Sequence, residues 1–145
     1  PGLYWLCYFL QCRLVIVGSV VRVSFNMSWN HLTSISQLDK IDIDSENSVI
    51  ILFKHSTRCS ISEIAKTRIE KIPFNLPPNS ELYFLDLIRY REVSNEIAQR
   101  YHVYHESPQV LLIKNKECFF DCSHLDISWP LLLNQIEKEM VVLQP

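Results

Sequence analysis

Apolar residues run almost unbroken through Ser48-Val-Ile-Ile-Leu-Phe-Lys54, Glu81-Leu-Tyr-Phe-Leu-Asp-Leu-Ile88 and Val110-Leu-Leu-Ile-Lys114. Runs of this length suit strands covered on both faces of a sheet. Between them the spacing turns helical. From Cys59 onward, Ile61, Ile64, Ala65 and Ile72 line one side, with Lys66, Arg68 and Glu70 opposite. Ser60 and Glu63 have capping-box spacing at the start of this helix, and Pro77-Pro78 stops the chain after it. Glu92 to Tyr101 predicts a helix with Val93, Ile97 and Tyr101 facing inward. Upstream, Leu32, Ile35 and Leu38 predict a helix over His31 to Ile41, with Thr33 and Ser34 as caps. After the third apolar run, Asn115-Lys116 makes a tight turn, and Glu117 to Ser123 returns as the second arm of a hairpin. Ser128 then caps a last helix that tolerates Pro130 in its first turn. Trp129, Leu132, Leu133, Ile136, Met140 and Leu143 form its inner face.

The order is therefore helix, strand, helix, strand, helix, strand, strand, helix. Strand–helix–strand units imply parallel pairing with right-handed crossovers, and the hairpin adds antiparallel strands. The expected fold class is α/β, a mixed four-stranded sheet flanked by helices, which is the thioredoxin-like architecture. It occupies residues 27–145.

Residues 1–26 follow a different pattern. Leu3 to Phe25 is apolar and aromatic with no acidic group, but Gln11, Arg13 and Arg22 interrupt it. A spanning helix needs about 20 mainly apolar residues, and a mid-helix charge costs about 2.5–3.5 kcal/mol on insertion scales. No signal-peptide cleavage pattern is present. The patterned domain starts directly after Met27. The segment is expected to be non-native upstream sequence. A membrane or interfacial anchor, or an extra buried element, are the alternatives, and a membrane role is expected only if the segment is native.

A chain of 145 residues with net charge −2 has no basic excess to recruit nucleic acid. Its five cysteines, Cys7, Cys12, Cys59, Cys118 and Cys122, match neither a disulfide framework nor a zinc site. No metal is expected, and the remaining histidines show no ligand spacing. Free thiols suit a reducing, cytoplasmic compartment.

Cys59 stands apart because it follows a buried strand and opens a helix. Ligand sites gather at the carboxyl ends of such strands. The unpaired N–H groups and dipole of a helix start favour an anion, so a thiol there ionises more readily than in solution. The thiolate is the nucleophile of disulfide exchange. Thr57, Arg58, Ser60 and Ser62 form its surroundings. Arg58, Lys54 and His55 are candidates to add positive charge. Ser62 occupies the place where a dithiol protein has its second cysteine, so Cys59 works as a monothiol. Ser62 is either a hydrogen-bond partner of the sulfur or a plain first-turn residue. In this fold Ser107-Pro108, directly before a strand, is expected to be a cis bond lying against the active cysteine. Ser123, His124 and Asp126 leave the hairpin at the same end. They are candidates to hold a thiol cofactor's polar groups, with plain helix capping as the alternative for Asp126. Cys118 and Cys122 are expected on one face of a strand, about 13 Å apart at roughly 3.3 Å per residue, as packing residues.

Four separated segments resemble one family in the right order. They are Val49-Ile-Ile-Leu-Phe-Lys-His-Ser-Thr-Arg-Cys-Ser-Ile-Ser62, Asp86-Leu-Ile-Arg-Tyr-Arg-Glu-Val-Ser-Asn-Glu-Ile-Ala98, His105-Glu-Ser-Pro-Gln-Val-Leu-Leu-Ile-Lys-Asn115 and Ser123-His-Leu-Asp-Ile127. Together they are similar to the YtxJ-type monothiol bacilliredoxins over nearly all of Met27 to Leu143. The resemblance implies a thioredoxin-like fold and a stress-linked thiol–disulfide oxidoreductase. Its co-substrate would be bacillithiol, a low-molecular-weight thiol, and its partners S-bacillithiolated proteins. Cys59 would take bacillithiol from such a protein, and free bacillithiol would release it. Pro108 matches the family's cis-proline. Ser60 departs from the pattern, which has proline after the cysteine. Two other readings stand beside this one. A glutathione-linked monothiol glutaredoxin would show a Cys-Gly-Phe-Ser segment and a Gly-Gly pair, both absent here. The other is a non-enzymatic redox sensor or interaction domain thiolated at Cys59.

Overall fold

The computed structural model describes residues 14–17, 20–23, 28–73 and 75–142. Leu14–Val17 (β1) and Val20–Val23 (β2) pair antiparallel in a two-stranded sheet. The remainder of residues 1–26, and Leu143 of the expected last-helix face, lie outside the described residues.

The main sheet has five strands in the order Asn30–His31 (β3), Ser80–Asp86 (β5), Val49–His55 (β4), Gln109–Lys114 (β6) and Glu117–Ser123 (β7). The central strand β4 (Val49–His55) is buried along its whole length. It pairs parallel to β5 (Ser80–Asp86) and antiparallel to β6 (Gln109–Lys114). β7 (Glu117–Ser123) closes one edge. The unbroken apolar runs are therefore strands with helices on both faces. The fifth strand, β3 (Asn30–His31), was not expected. It pairs parallel to β5, and the Leu32 amide donates to the Phe84 carbonyl at 2.8 Å. This pairing delays helix α1, which spans Ser36–Asp44 rather than starting at His31. Neither Thr33 nor Ser34 caps it. Gln37 Oε1 instead accepts both of their backbone N–H groups, at 2.7 and 3.0 Å.

Two cores flank the sheet. Leu38 and Ile41 of α1 and Val93 and Ile97 of α3 (Arg91–Arg100) pack on Ile50, Leu52, Leu111 and Ile113. On the other face, Ala65 and Ile69 of α2 (Ser60–Ile69) join Leu132 and Ile136 of α4 (Trp129–Val142) against Ile51, Phe53, Val110 and Leu112. Alternation along a strand divides its side chains between the two cores in this way.

Two expected faces are corrected. The buried stripe of α2 is Ser62, Ala65 and Ile69, while Ile61 and Ile64 are exposed. Apolar count selected the wrong stripe because the buried one contains a serine. Met140 is also exposed.

Asn115 and Lys116 both have positive φ, 51° and 66°, the geometry of a two-residue hairpin turn with right-handed strand twist. Just beyond it, Ile113 pairs with Cys118 but Leu112 pairs with Phe120. The extra residue, Phe119, is a bulge, and a one-residue insertion reverses the facing of everything after it. Cys118 therefore packs on the α1/α3 side and Cys122 on the α2/α4 side. The expectation that they share one face is wrong for this reason.

Candidate functional site

β4 ends at His55, and a short loop leads into α2. Cys59 sits at the N-cap of that helix with extended backbone (φ −124°, ψ 120°), and its carbonyl accepts the Glu63 N–H at 3.2 Å. The thiol lies at a helix start and is half-buried, within reach of solvent. Thr57, Arg58 and Ser60 around it are exposed. Cys118 and Cys122 are half-buried on β7, and burial pushes the Cys118 thiol up to about 11. Burial and the neighbouring Asp121 carboxylate push Cys122 up to about 12. Both are protonated near neutrality and poor nucleophiles.

The capping box does not form as expected. Ser60 makes no side-chain cap bond, and Glu63 turns to His55, whose Nε2 lies 3.1 Å from Glu63 Oε1. His55 is buried, and its Nδ1 lies 2.8 Å from Ser62 Oγ. Ser62 Oγ also accepts the Ser56 N–H at 2.9 Å. The Glu63 carboxylate only accepts, so Nε2 carries a ring proton, and in the neutral ring Nδ1 accepts from the Ser62 hydroxyl. Ser62 is fully buried and ties the end of β4 to the first turn of α2. Its hydroxyl is committed to His55 and not to the Cys59 sulfur.

The Ser107–Pro108 bond is cis. Lys54 pairs with Gln109 in the sheet, so Pro108 comes in beside the end of β4, where the Cys59 loop departs. The Pro108 carbonyl accepts the His124 N–H at 3.1 Å, and Gln109 pairs with Ser123. Ser123 and His124 are thereby brought to the proline loop, with Ser123 Oγ 3.0 Å from His124 Nδ1. His124–Asp126 form a 3₁₀ turn tied to α2 by Arg68 Nη1 donating to the Leu125 carbonyl at 3.1 Å. Asp126 is exposed on this turn and makes no cap bond there. The Leu132 N–H bonds the Ser128 carbonyl at 3.1 Å, so Ser128 starts α4.

Lys54 does not add charge beside the thiol. It is fully buried and lies on the α1/α3 face, donating to Gln109 Oε1 at 2.9 Å. The roles of His55, Glu63 and Gln109 were not foreseen. A Lys-His pair closing an apolar strand is the one signal that pointed there. Among the described residues no cluster of His, Cys, Asp and Glu could hold a metal ion. No helix there is long and apolar enough to cross a membrane. An apolar cavity of about 260 Å³ lies at the opposite end of the sheet, bordered by Val49, Pro77, Pro78 and Met140.

Residues 30–132 match the sequence family described as monothiol bacilliredoxin BrxC. The chain belongs to that family. A solved structure with a thioredoxin fold is 31% identical, with a TM-score of 0.62 over 72% of this chain and 89% of that one. Thioredoxins of Fasciola hepatica and Malassezia sympodialis are 17% and 16% identical. Their TM-scores are 0.59 and 0.60, over 75% and 91% of this chain and 97% and 96% of theirs. At that identity they speak for the fold alone. A bacilliredoxin-family chain on a thioredoxin fold is a thiol oxidoreductase, and Cys59 is the cysteine at the start of α2.

Proposed function

We propose that this protein removes bacillithiol from S-bacillithiolated proteins through Cys59. The observation that carries the reading is the placement of one accessible thiol at the α2 N-cap, with Ser62 buried in the position of a second cysteine. The family match supports the same chemistry.

In the first step the Cys59 thiolate attacks the bacillithiol sulfur of the mixed disulfide. That S–S bond breaks, the substrate cysteine leaves as thiolate and takes a proton from water, and bacillithiol remains on Cys59. Ser62 cannot expel it. In the second step the thiolate of free bacillithiol attacks the adduct, bacillithiol disulfide departs, and Cys59 is regenerated. No net electrons are gained or lost. The Pro108 loop presents backbone groups against which an extended disulfide segment can pair. Ser107 Oγ, buried without a hydrogen-bond partner among the described residues, supports a polar contact at that point. Ser123, His124 and Asp126 on one side and Arg58 and Arg68 on the other offer polar and positive groups to the carboxylates of a small thiol.

Turnover tests this reading. A bacillithiolated protein is incubated with excess bacillithiol and catalytic amounts of wild type or Cys59→Ala, and adduct loss is followed by mass spectrometry. Many substrate equivalents are expected to be cleared per wild-type chain and none by the variant. Stoichiometric transfer without turnover would instead identify a sensor, and equal activity of the variant would remove Cys59 from the chemistry.

A further inference from the structure

The segment before β6 is held by side chains that converge on one buried cation. Lys54 Nζ donates to Gln109 Oε1 at 2.9 Å and lies 3.0 Å from His105 Nδ1. Gln109 Oε1 also accepts the Glu106 N–H at 3.3 Å. Gln109 Nε2 donates to the Tyr104 carbonyl at 2.9 Å and to Asp121 Oδ2 at 3.0 Å. His105 Nδ1 lies 3.3 Å from Ser94 Oγ of α3. Tyr104 to Pro108 is thus fastened through one amide and one imidazole, and both are bonded to Lys54.

An ammonium carries donors and no acceptor. It therefore fixes the Gln109 amide with oxygen inward, which aims Nε2 at Tyr104 and Asp121. It also requires His105 Nδ1 to accept. The Glu106 N–H on Oε1 and the Tyr104 and Asp121 acceptors at Nε2 agree with that orientation. Among the described residues Lys54 makes no ion pair. The charged groups facing it are Arg91 on α3, Asp121 on β7 and Glu106 in the loop, and the titratable His105 touches it directly. Burial, with help from Arg91, lowers the Lys54 ammonium to about 8. Burial first, then Lys54 and Arg91, also keep His105 below its ordinary value, so it stays neutral and able to accept.

We propose that Lys54 is a positioning residue, whose buried ammonium holds the Tyr104–Pro108 loop in the shape that receives the disulfide substrate beside Cys59. The claim rests on the function proposed above. It places a residue that never touches substrate in control of substrate affinity.

The test uses the full chain as wild type and Lys54→Met, which keeps length and removes charge. Amide hydrogen exchange is measured over residues 103–109 and over α2, with KM and kcat for a bacillithiolated protein in parallel. Loop exchange is expected to speed up roughly tenfold in the variant, with α2 unchanged. KM is expected to rise roughly fivefold or more, with kcat within about twofold. Equal loop exchange in the two proteins would overturn the proposal, as would a loosened loop with an unchanged KM. If Lys54→Met does not fold, His105→Ala, at an exposed loop position that contacts the ammonium, decides, and loop exchange and KM both unchanged in it would overturn the proposal. Wild type without turnover on the mixed disulfide would instead sink the proposed function, while the exchange arm would still judge the Lys54–loop contact by itself.

Discussion

Replacing Ser62 by alanine removes one hydroxyl and orphans two buried groups. The Ser56 N–H loses its acceptor at 2.9 Å and His55 Nδ1 loses its donor at 2.8 Å. Ser56, His55 and Ser62 are all buried, so water does not replace the lost partner without rearrangement. A buried polar group left unsatisfied costs about 1–3 kcal/mol. The two losses share one hydroxyl, so they do not simply add. Alanine returns roughly 0.5 kcal/mol through better helix propensity. The expected net cost is about 2–3 kcal/mol, or roughly 10 °C in Tm for a domain of this size. Ser60→Ala is the control: Ser60 is exposed in the same turn and makes no cap bond, so its change should stay within about 0.5 kcal/mol. Urea unfolding of both variants gives the two numbers. A Ser62→Ala cost no larger than that of Ser60→Ala would refute the view that Ser62 joins β4 to α2. Thiol transfer per folded chain should persist in both, because neither hydroxyl is bonded to the sulfur.

Stability should also depend on pH through Lys54. Its folded-state value, about 8, lies below the ordinary 10.5. Between these values the unfolded chain holds a proton that the folded chain has released, so stability rises with pH there, by up to about 3 kcal/mol. Tyr83, pushed up to about 12 by burial and the Glu81 carboxylate, acts in the opposite sense above about pH 10. The clean comparison is therefore the slope of unfolding free energy just above pH 8 in wild type against Lys54→Met, where it should flatten. Alkylation at neutral pH should mark Cys59 well before Cys118 or Cys122, as read by peptide mapping, and Cys118→Ala with Cys122→Ala should leave turnover intact. Leu111 is fully buried beneath α1 and α3, so Leu111→Ala should cost about 2–5 kcal/mol by chemical denaturation.

Much of the fold was readable because the three apolar runs and the helical spacing between them are strong local signals. The position of Cys59 followed from that order alone. β3 was missed because two polar residues, Asn30 and His31, carry no periodicity. Their strand character comes from pairing with Tyr83 and Phe84, which lie far along the chain. The bulge at Phe119 was invisible for a related reason. Phe119 and Phe120 are both apolar, so nothing in the pattern says which of them is extra. The inner face of α2 was misread because Ser62 is polar by type and buried by role. Lys54 failed in the same way. A lysine at the end of an apolar run reads as the point where a strand meets water, and only the partners supplied by β6 and the proline loop make its burial tolerable. In each case the missing information was a pairing between elements that local spacing does not show.

The most direct check on the central claim is a single-turnover experiment. Equimolar bacillithiolated protein and wild-type chain are mixed without free bacillithiol, quenched, and mapped peptide by peptide. Bacillithiol is expected on Cys59, one for each substrate thiol released, with Cys118 and Cys122 unmodified. An adduct on any other residue, or substrate release with Cys59 still free, would contradict the account.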